Sequence, residues 1–354
     1  MHSSDVVIAG AGIIGLSLAV ELRRIGASVA LLERGEPGRE ASSAAAGMLV
    51  TGDPDTNSCL RPLIEASARM YPAFVEDLQL RSGMTVNFEN RGALYVASDH
   101  ESVPFPALTS AEVRELEPAL ADFPRVHLLE ESSVDPRLLV QAALVAAKNM
   151  GVVVHHEAAV QQIRIGKQRD LEIESAAGPY QTATFVNCTG AWAREIAGSS
   201  APSRPIKGQM LAVIPHGCEL RHVVRSRDVY LVPRRDGRVL IGATVEEAGF
   251  DKRVNPDVIQ RLHQAAANLV PRIGEARILE AWAGLRPGSP DGLPILGPGR
   301  LPGSYVATGH FRNGILLAPI TATVMAELIQ GRKPQVDLGP FAPSRFADSN
   351  ALAG

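Results

Sequence analysis

The hydrophobic pattern opens with a short apolar run, Val6-Val7-Ile8-Ala9, too brief and too β-branched for a helix. Gly10-Ala11-Gly12-Ile13-Ile14-Gly15 follows at once, and Leu16 to Ile25 then has helical character until Gly26 ends it. A second apolar run, Val29 to Leu32, closes on the carboxylate of Glu33. The pattern predicts a strand–turn–helix–strand unit at the head of the chain. Farther on, Arg61 to Ser82 reads as helical but interrupted at Pro72, and Gly92 to Ala97 alternates as a strand does. Ser110 to Leu116 reads as a helix capped by Ser110. Pro136 to Met150 is another, with Asp135 as cap and Pro136 in its first position.

The runs Val152–Val154, Val160–Ile165, Leu171–Ser175 and Thr182–Asn187 predict a strand followed by a β-meander, and Pro205 to Val245 is strand-rich. Helices are expected over Pro256–Leu269 and about Ile315–Gln330, and the chain after Gly331 is expected to fray. Segments of β–α–β character lie at both ends and around 134–192, with antiparallel patterns between them. The expected architecture is therefore α/β (α+β overall), with a Rossmann-like dinucleotide-binding domain of residues 1–85, 134–200 and 280–340. An antiparallel-sheet substrate domain of 86–133 and 201–279 is interleaved with it, and 341–354 form a tail.

Composition narrows the picture. A chain of 354 residues with net charge −3 and no basic block gives nucleic acid no obvious footing. The three cysteines Cys59, Cys188 and Cys218 are widely spaced, which fits a reducing compartment and lacks zinc-ligand spacing. His155 and His156 are adjacent and would point to opposite faces of a strand, which disfavours a metal site. The apolar stretch Val6–Val20 lacks a basic leader and is broken by glycines, so a soluble, cytoplasmic protein without a membrane span is expected.

The strand–GxGxxG–helix context carries the chemistry. Gly10 allows the tight turn, Gly12 the approach of a pyrophosphate, and Gly15 close helix–strand packing, while the helix N-terminus around Ile13 and Ile14 faces the phosphates. Glu33 stands 18 residues after Gly15, near the spacing of a carboxylate that binds an unphosphorylated ribose, so FAD or NAD is expected rather than NADP. The small residues Ser42, Ser43, Ala46, Gly47 and Met48, and the string Cys188-Thr189-Gly190-Ala191-Trp192, suit a flat cofactor lying against backbone and favour FAD.

At this point the chain resembles the glycine oxidase and D-amino-acid oxidase family of FAD enzymes. The resemblance rests on Gly10–Gly15, Ser42–Met48, Tyr230–Pro233 with Gly242-Ala243-Thr244, Ala283–Asp291 and Thr308–Pro319, blocks that span nearly the whole chain. It implies non-covalent FAD, because no cysteine stands in Gly284–Asp291, where related sarcosine oxidases attach the flavin. It implies that Val160 meets the adenine through its backbone, that Ser42, Ser43 and Met48 lie along the flavin, and that Arg312, Asn313, Gly314, Ile315 and Leu316 wrap its pyrimidine end. Arg34 falls among the cofactor-binding residues, next to Glu33.

By the same resemblance Arg286 is the substrate-carboxylate arginine, with pairing to Asp291 as the plain alternative, and Tyr230 is the phenol beside it. Arg312 adds positive charge, and His310 is read as structural rather than as a base. Asp228 replaces a histidine of close relatives, and the stretch 97–110 is expected to make at most a short lid. The implied reaction is oxidation of glycine, sarcosine or D-alanine by hydride transfer, with oxygen as acceptor and an imine, 2-oxo acid, ammonia and peroxide as products. A thiazole-forming partner in thiamine synthesis and a homo-oligomeric state are also implied. The competing readings are a D-amino-acid oxidase or dehydrogenase, a sarcosine oxidase, and a non-catalytic flavin scaffold.

Overall fold

The computed structural model describes residues 2–53, 56–167, 170–199 and 201–346. Its organising element is a six-stranded sheet in the order Ile295–Pro298, Ser304–Thr308, Thr184–Asn187, Val6–Ala9, Val29–Leu32 and Val153–His155. All neighbours are parallel except Ile295–Pro298, which runs antiparallel at one edge. Val6–Ala9 and Val29–Leu32 are apolar throughout because both faces are covered. Val6 and Ile8 face a helical layer of Ile13–Arg24, Arg61–Ser82, Pro136–Asn149 and Ala318–Ile329, whereas Val7 and Ala9 face the meander. That meander is a separate sheet of His2–Ser3, Tyr180–Thr182, Leu171–Ser175 and Val160–Ile165.

A seven-stranded sheet runs Arg277–Gly288, Arg204–Ile214, Val239–Gly242, Tyr230–Pro233, Val223–Arg225, Ala93–Val96 and Val126–Leu129. Its pairings are antiparallel except between Val223–Arg225 and Ala93–Val96. Leu211, Val213, Leu231 and Ile241 pack on the amphipathic helix Pro256–Leu269. Met210, Ala212, Val232 and Leu240 point the other way and meet Ala46, so this sheet sits over the segment that follows the second parallel strand.

Several expectations are corrected. Arg61–Ser82 is one helix that runs through Pro72. Pro72 lies on the solvent side, where water can serve the carbonyl it frees, while Leu63, Ile64, Tyr71, Val75 and Leu78 anchor the other face. Thr109, not Ser110, caps the next helix: its Oγ1 accepts from Glu112 N at 3.3 Å while the Glu112 carboxylate accepts from Thr109 N at 2.7 Å, a reciprocal box. The run Thr182–Asn187 is divided at Ala183, with Tyr180–Thr182 in the meander and Thr184–Asn187 in the parallel sheet. A periodicity argument cannot see that break, because both pieces are extended and continuous in sequence.

The last helix is Ala318–Ile329, preceded by turns over residues 314–317. After Gly331 the chain remains ordered by packing: Phe341 is buried and Arg345 pairs with Asp291 at 2.7 Å. The remainder of the expected tail, 347–354, lies outside the described residues. His155 meets the Tyr180 ring edge-on, and His156 lies 3.7 Å from Glu36.

Candidate active site

One cavity of about 1050 Å³ runs from the glycine turn to the underside of the seven-stranded sheet. At its first end Gly10 adopts φ +98°, and a Cβ there would fall 2.5 Å from the Cys188 carbonyl oxygen. A Cβ on Gly15 would fall 2.0 Å from the Gly10 carbonyl, so Gly15 serves packing and does not line the cavity. Gly12, Ile13 and Ile14 do line it. Gly12, at the start of that helix, supplies no side-chain cap and the first turn holds no acidic residue, while Ser42 Oγ accepts from Ile13 N at 3.0 Å. The positive dipole end of the helix suits a phosphate.

Glu33 Oε2 accepts from Ala11 N at 2.8 Å and Oε1 from Gly35 N at 3.0 Å. Each oxygen retains a lone pair for a ribose hydroxyl. Arg34 lies flat on Trp192, 3.7 Å from the ring centroid, and both border the cavity together with Val160, Thr189 and Gly190.

The middle of the cavity is walled by Ser42, Ala46, Gly47 and Met48. Ser43 turns away from it and donates to Gly38 O at 2.5 Å. Arg312, Asn313, Gly314 and Ile315 line the far side, but Leu316 is buried behind them, its carbonyl accepting from Ser67 Oγ at 2.6 Å. The first turn of the last helix does not reach the cavity; the preceding loop does. These residues fit FAD: a glycine turn and positive helix end for phosphates, a carboxylate for ribose, and a small-residue wall for a flat ring.

At the second end Tyr230 and Arg286 meet. Tyr230 opens its strand; Arg286 lies on the strand Arg277–Gly288 and donates from Nη1 to Thr244 O at 2.9 Å. Room for both comes from glycines. A Cβ on Gly208 would fall 2.1 Å from Arg286 Nη1, and one on Gly242 would fall 2.6 Å from the Tyr230 hydroxyl. Burial pushes the phenol up from its ordinary range, against the pull of Arg286. Burial also lowers the Arg286 guanidinium, which the nearby Tyr230 opposes and Arg312 reinforces.

At neutral pH the pair is a cation and a neutral hydroxyl; both line the cavity, and the Tyr230 hydroxyl donates to Met210 Sδ at 3.7 Å. Asp291, the alternative partner, is taken by Arg345. Among the described residues no carboxylate forms an ion pair with Arg286. Glu246 acts on it only at longer range, so this half-buried guanidinium has its donors open to an anionic ligand.

His310 is buried, its Nε2 lies 3.1 Å from Thr321 Oγ1, and burial pushes its imidazole down to about 3. It is therefore a neutral, hydrogen-bonded part of the wall. Sequence reasoning missed Met210, Tyr95, Glu101 and Arg225, which also line the cavity. Glycine at 208 and 242 inside strands was the available signal for the clamp, since a strand glycine marks a close approach. The segment 101–103 borders the cavity without forming a helix or strand.

The chain belongs to a family of FAD-dependent oxidoreductases, the DAO family, whose model matches residues 5–328. It is 34% identical to the glycine oxidase of Geobacillus kaustophilus over 97% of each chain. It is also 34% identical to the bifunctional protein ThiO/ThiG of Trichormus variabilis, covering 97% of this chain but 55% of that protein. The crystal structure of the Geobacillus kaustophilus glycine oxidase superposes with a TM-score of 0.92 at 33% identity, over 98% of this chain and 99% of that one. Among the described residues no helix is long and apolar enough to cross a membrane.

Proposed function

We propose that the protein oxidises glycine, and with it sarcosine and D-alanine, using non-covalent FAD and oxygen. The observation that carries this reading is the half-buried Arg286, which makes no ion pair among the described residues, beside the Tyr230 hydroxyl in the same cavity as the dinucleotide turn. When bound, FAD supplies the acceptor for the hydride leaving the substrate α-carbon.

The chain's own groups do the rest. Arg286 grips the substrate carboxylate through its planar fork, and Tyr230 donates a further hydrogen bond. Arg312 adds positive charge at the cavity rim. Together they hold the α-carbon in a fixed attitude, which converts an encounter into an intramolecular step. His310 takes no proton, because burial keeps it neutral. Gly10, Gly12, Ile13, Ile14 and Glu33 hold the dinucleotide; Ser42 and Ala46–Met48 lie along the ring; Asn313–Ile315 enclose its polar end.

The product imine is hydrolysed to a 2-oxo acid and ammonia, with peroxide formed from oxygen, or passes to a thiazole-forming partner. The fusion named ThiO/ThiG supports such a partner. The domain division expected from sequence, a homo-oligomeric state and a cytoplasmic location belong to the same proposal.

The test is a spectrum of the purified protein before and after anaerobic addition of glycine, sarcosine or D-alanine. Bleaching of the flavin bands by glycine, with recovery and peroxide release in air, is the expected result. Flavin that none of the three bleaches would overturn the assignment and favour the non-catalytic scaffold.

A further inference from the structure

The segment Ala44–Met48 lies between two sets of side chains. Its inner side, including Ala44, Ala45, Ala46 and Gly47, borders the large cavity. Behind it stand Trp282, Arg234 and Arg137, none of which lines that cavity. Trp282 Nε1 donates to Ala44 O at 3.1 Å, and Arg234 Nη2 donates to Ala46 O at 2.6 Å. Arg137 reaches Ser43 O at 3.4 Å from Nε, with its guanidinium 5.2 Å from the Trp282 ring centroid.

Arg137 belongs to the helix Pro136–Asn149, but Trp282 and Arg234 lie on, or just past the end of, the two strands that carry the clamp. Trp282, Gly284 and Arg286 alternate along one strand and so share a face. Trp282 holds the Ala44 carbonyl, Gly284 lies so close that a Cβ would fall 2.6 Å from Ala44 Cβ, and Arg286 ends the series at the clamp. Tyr230 and Arg234 stand in the same relation, with Tyr230 opening a strand and Arg234 just past its end. The Arg234 side chain is only 6% exposed, and its nearest carboxylate, Asp135, is 3.7 Å away. Burying such a cation is costly, and the short bond to Ala46 O is the closest interaction it makes.

We propose that Trp282 and Arg234 are positioning residues that fix the cofactor-facing segment relative to the Tyr230–Arg286 clamp. Each strand then works as a strut, with the clamp at one end and a backbone carbonyl of the cofactor wall about 13 Å away at the other. The distance between substrate and ring is set by strand geometry rather than by loop conformation. This inference rests on the reading of the cavity as a site for FAD and a small amino acid.

Trp282→Phe, which keeps the ring and removes the donor, and Arg234→Met are compared with the parent protein. Three quantities are measured: Kd of FAD for the apoprotein by fluorescence quenching, kcat and KM for glycine, and the apoprotein melting midpoint. Both variants are expected to raise the FAD Kd about tenfold, equivalent to about 1.4 kcal/mol. They are also expected to lower kcat about tenfold with KM within twofold, because the clamp itself is untouched. Arg234→Lys, which can still donate to Ala46 O, is expected to recover most of both losses.

FAD Kd and kcat within twofold of the parent in both variants would overturn the proposal. So would a loss confined to the melting midpoint or to KM. If Arg234→Met does not fold, Trp282→Phe decides alone. A parent protein that binds FAD but is not reduced by glycine would sink the proposed activity, while the FAD titrations would still decide this proposal.

Discussion

The two ends of the cavity are built in opposite ways. The dinucleotide end is nearly local: Gly10, Gly12, Gly15 and Glu33 lie within one strand–turn–helix–strand unit, and the turn's geometry follows from its own glycines. The clamp end is non-local. Tyr230 and Arg286 are brought together through two intervening strands, Val239–Gly242 and Arg204–Ile214, whose Gly242 and Gly208 leave the gap they fill. A local motif can be recognised from spacing alone, but a site made by sheet register depends on every strand between its members. Damage at the first end should therefore cost the cofactor, and damage at the second should cost the substrate while the cofactor stays.

The largest expected effect tests the first half of that contrast. Gly10→Val puts a branched side chain at φ +98° and against the Cys188 carbonyl, so the purified variant should carry no visible flavin absorbance. Normal flavin content would break the comparison at its root. Next comes Arg286→Ala, expected to lower kcat/KM for glycine roughly 100-fold, on the scale of a lost charge-assisted contact, with flavin content unchanged. Steady-state kinetics on flavin-replete protein check it, and an unchanged KM would remove Arg286 from the clamp. Tyr230→Phe removes one neutral hydrogen bond and should cost roughly tenfold in the same measurement.

The last prediction concerns stability rather than turnover, and His310, which lines the same cavity. Burial lowers its folded pKa from 6.5 to about 3, so between these values the unfolded chain binds the proton and the folded one does not. Its contribution to stability is full above about pH 6.5 and declines as pH falls toward 3, by at most about 1.4 kcal/mol per unit. Denaturant titrations over that range should show a shallower pH slope for His310→Asn than for the parent. An inflection in kcat that vanishes in this variant would instead make His310 a participant in the chemistry.

The Arg234 and Trp282 struts link the two ends, and they sharpen the comparison further. They mean that the cofactor wall, although contiguous in sequence, owes its position to the non-local sheet. Ser43 illustrates the point. It stands in the small-residue run that signals a flat cofactor, yet it faces Gly38, while its neighbours Ser42 and Ala44 face the cavity. Composition identified the segment, but the side of the chain each residue presents was decided by the donors that hold its carbonyls.

Much of the secondary structure was legible because it follows from local periodicity and caps: Asp135 accepts from Arg137 N and Leu138 N where a cap was expected. Pro72 was misread because a proline rule knows nothing of which face meets solvent. The division at Ala183 was invisible because two sheets claim neighbouring residues of one extended run.

By itself the sequence determined the glycine turn, the carboxylate at Glu33, the small-residue run and the blocks that mark the family, all of which depend on neighbours along the chain. Only the tertiary structure decided that Arg286 makes no ion pair among the described residues, that Asp291 belongs to Arg345, and that Gly208 and Gly242 make way for the clamp. The reason is physical: a buried charge takes its meaning from what surrounds it, and in a sheet those surroundings are set by register between strands distant in sequence.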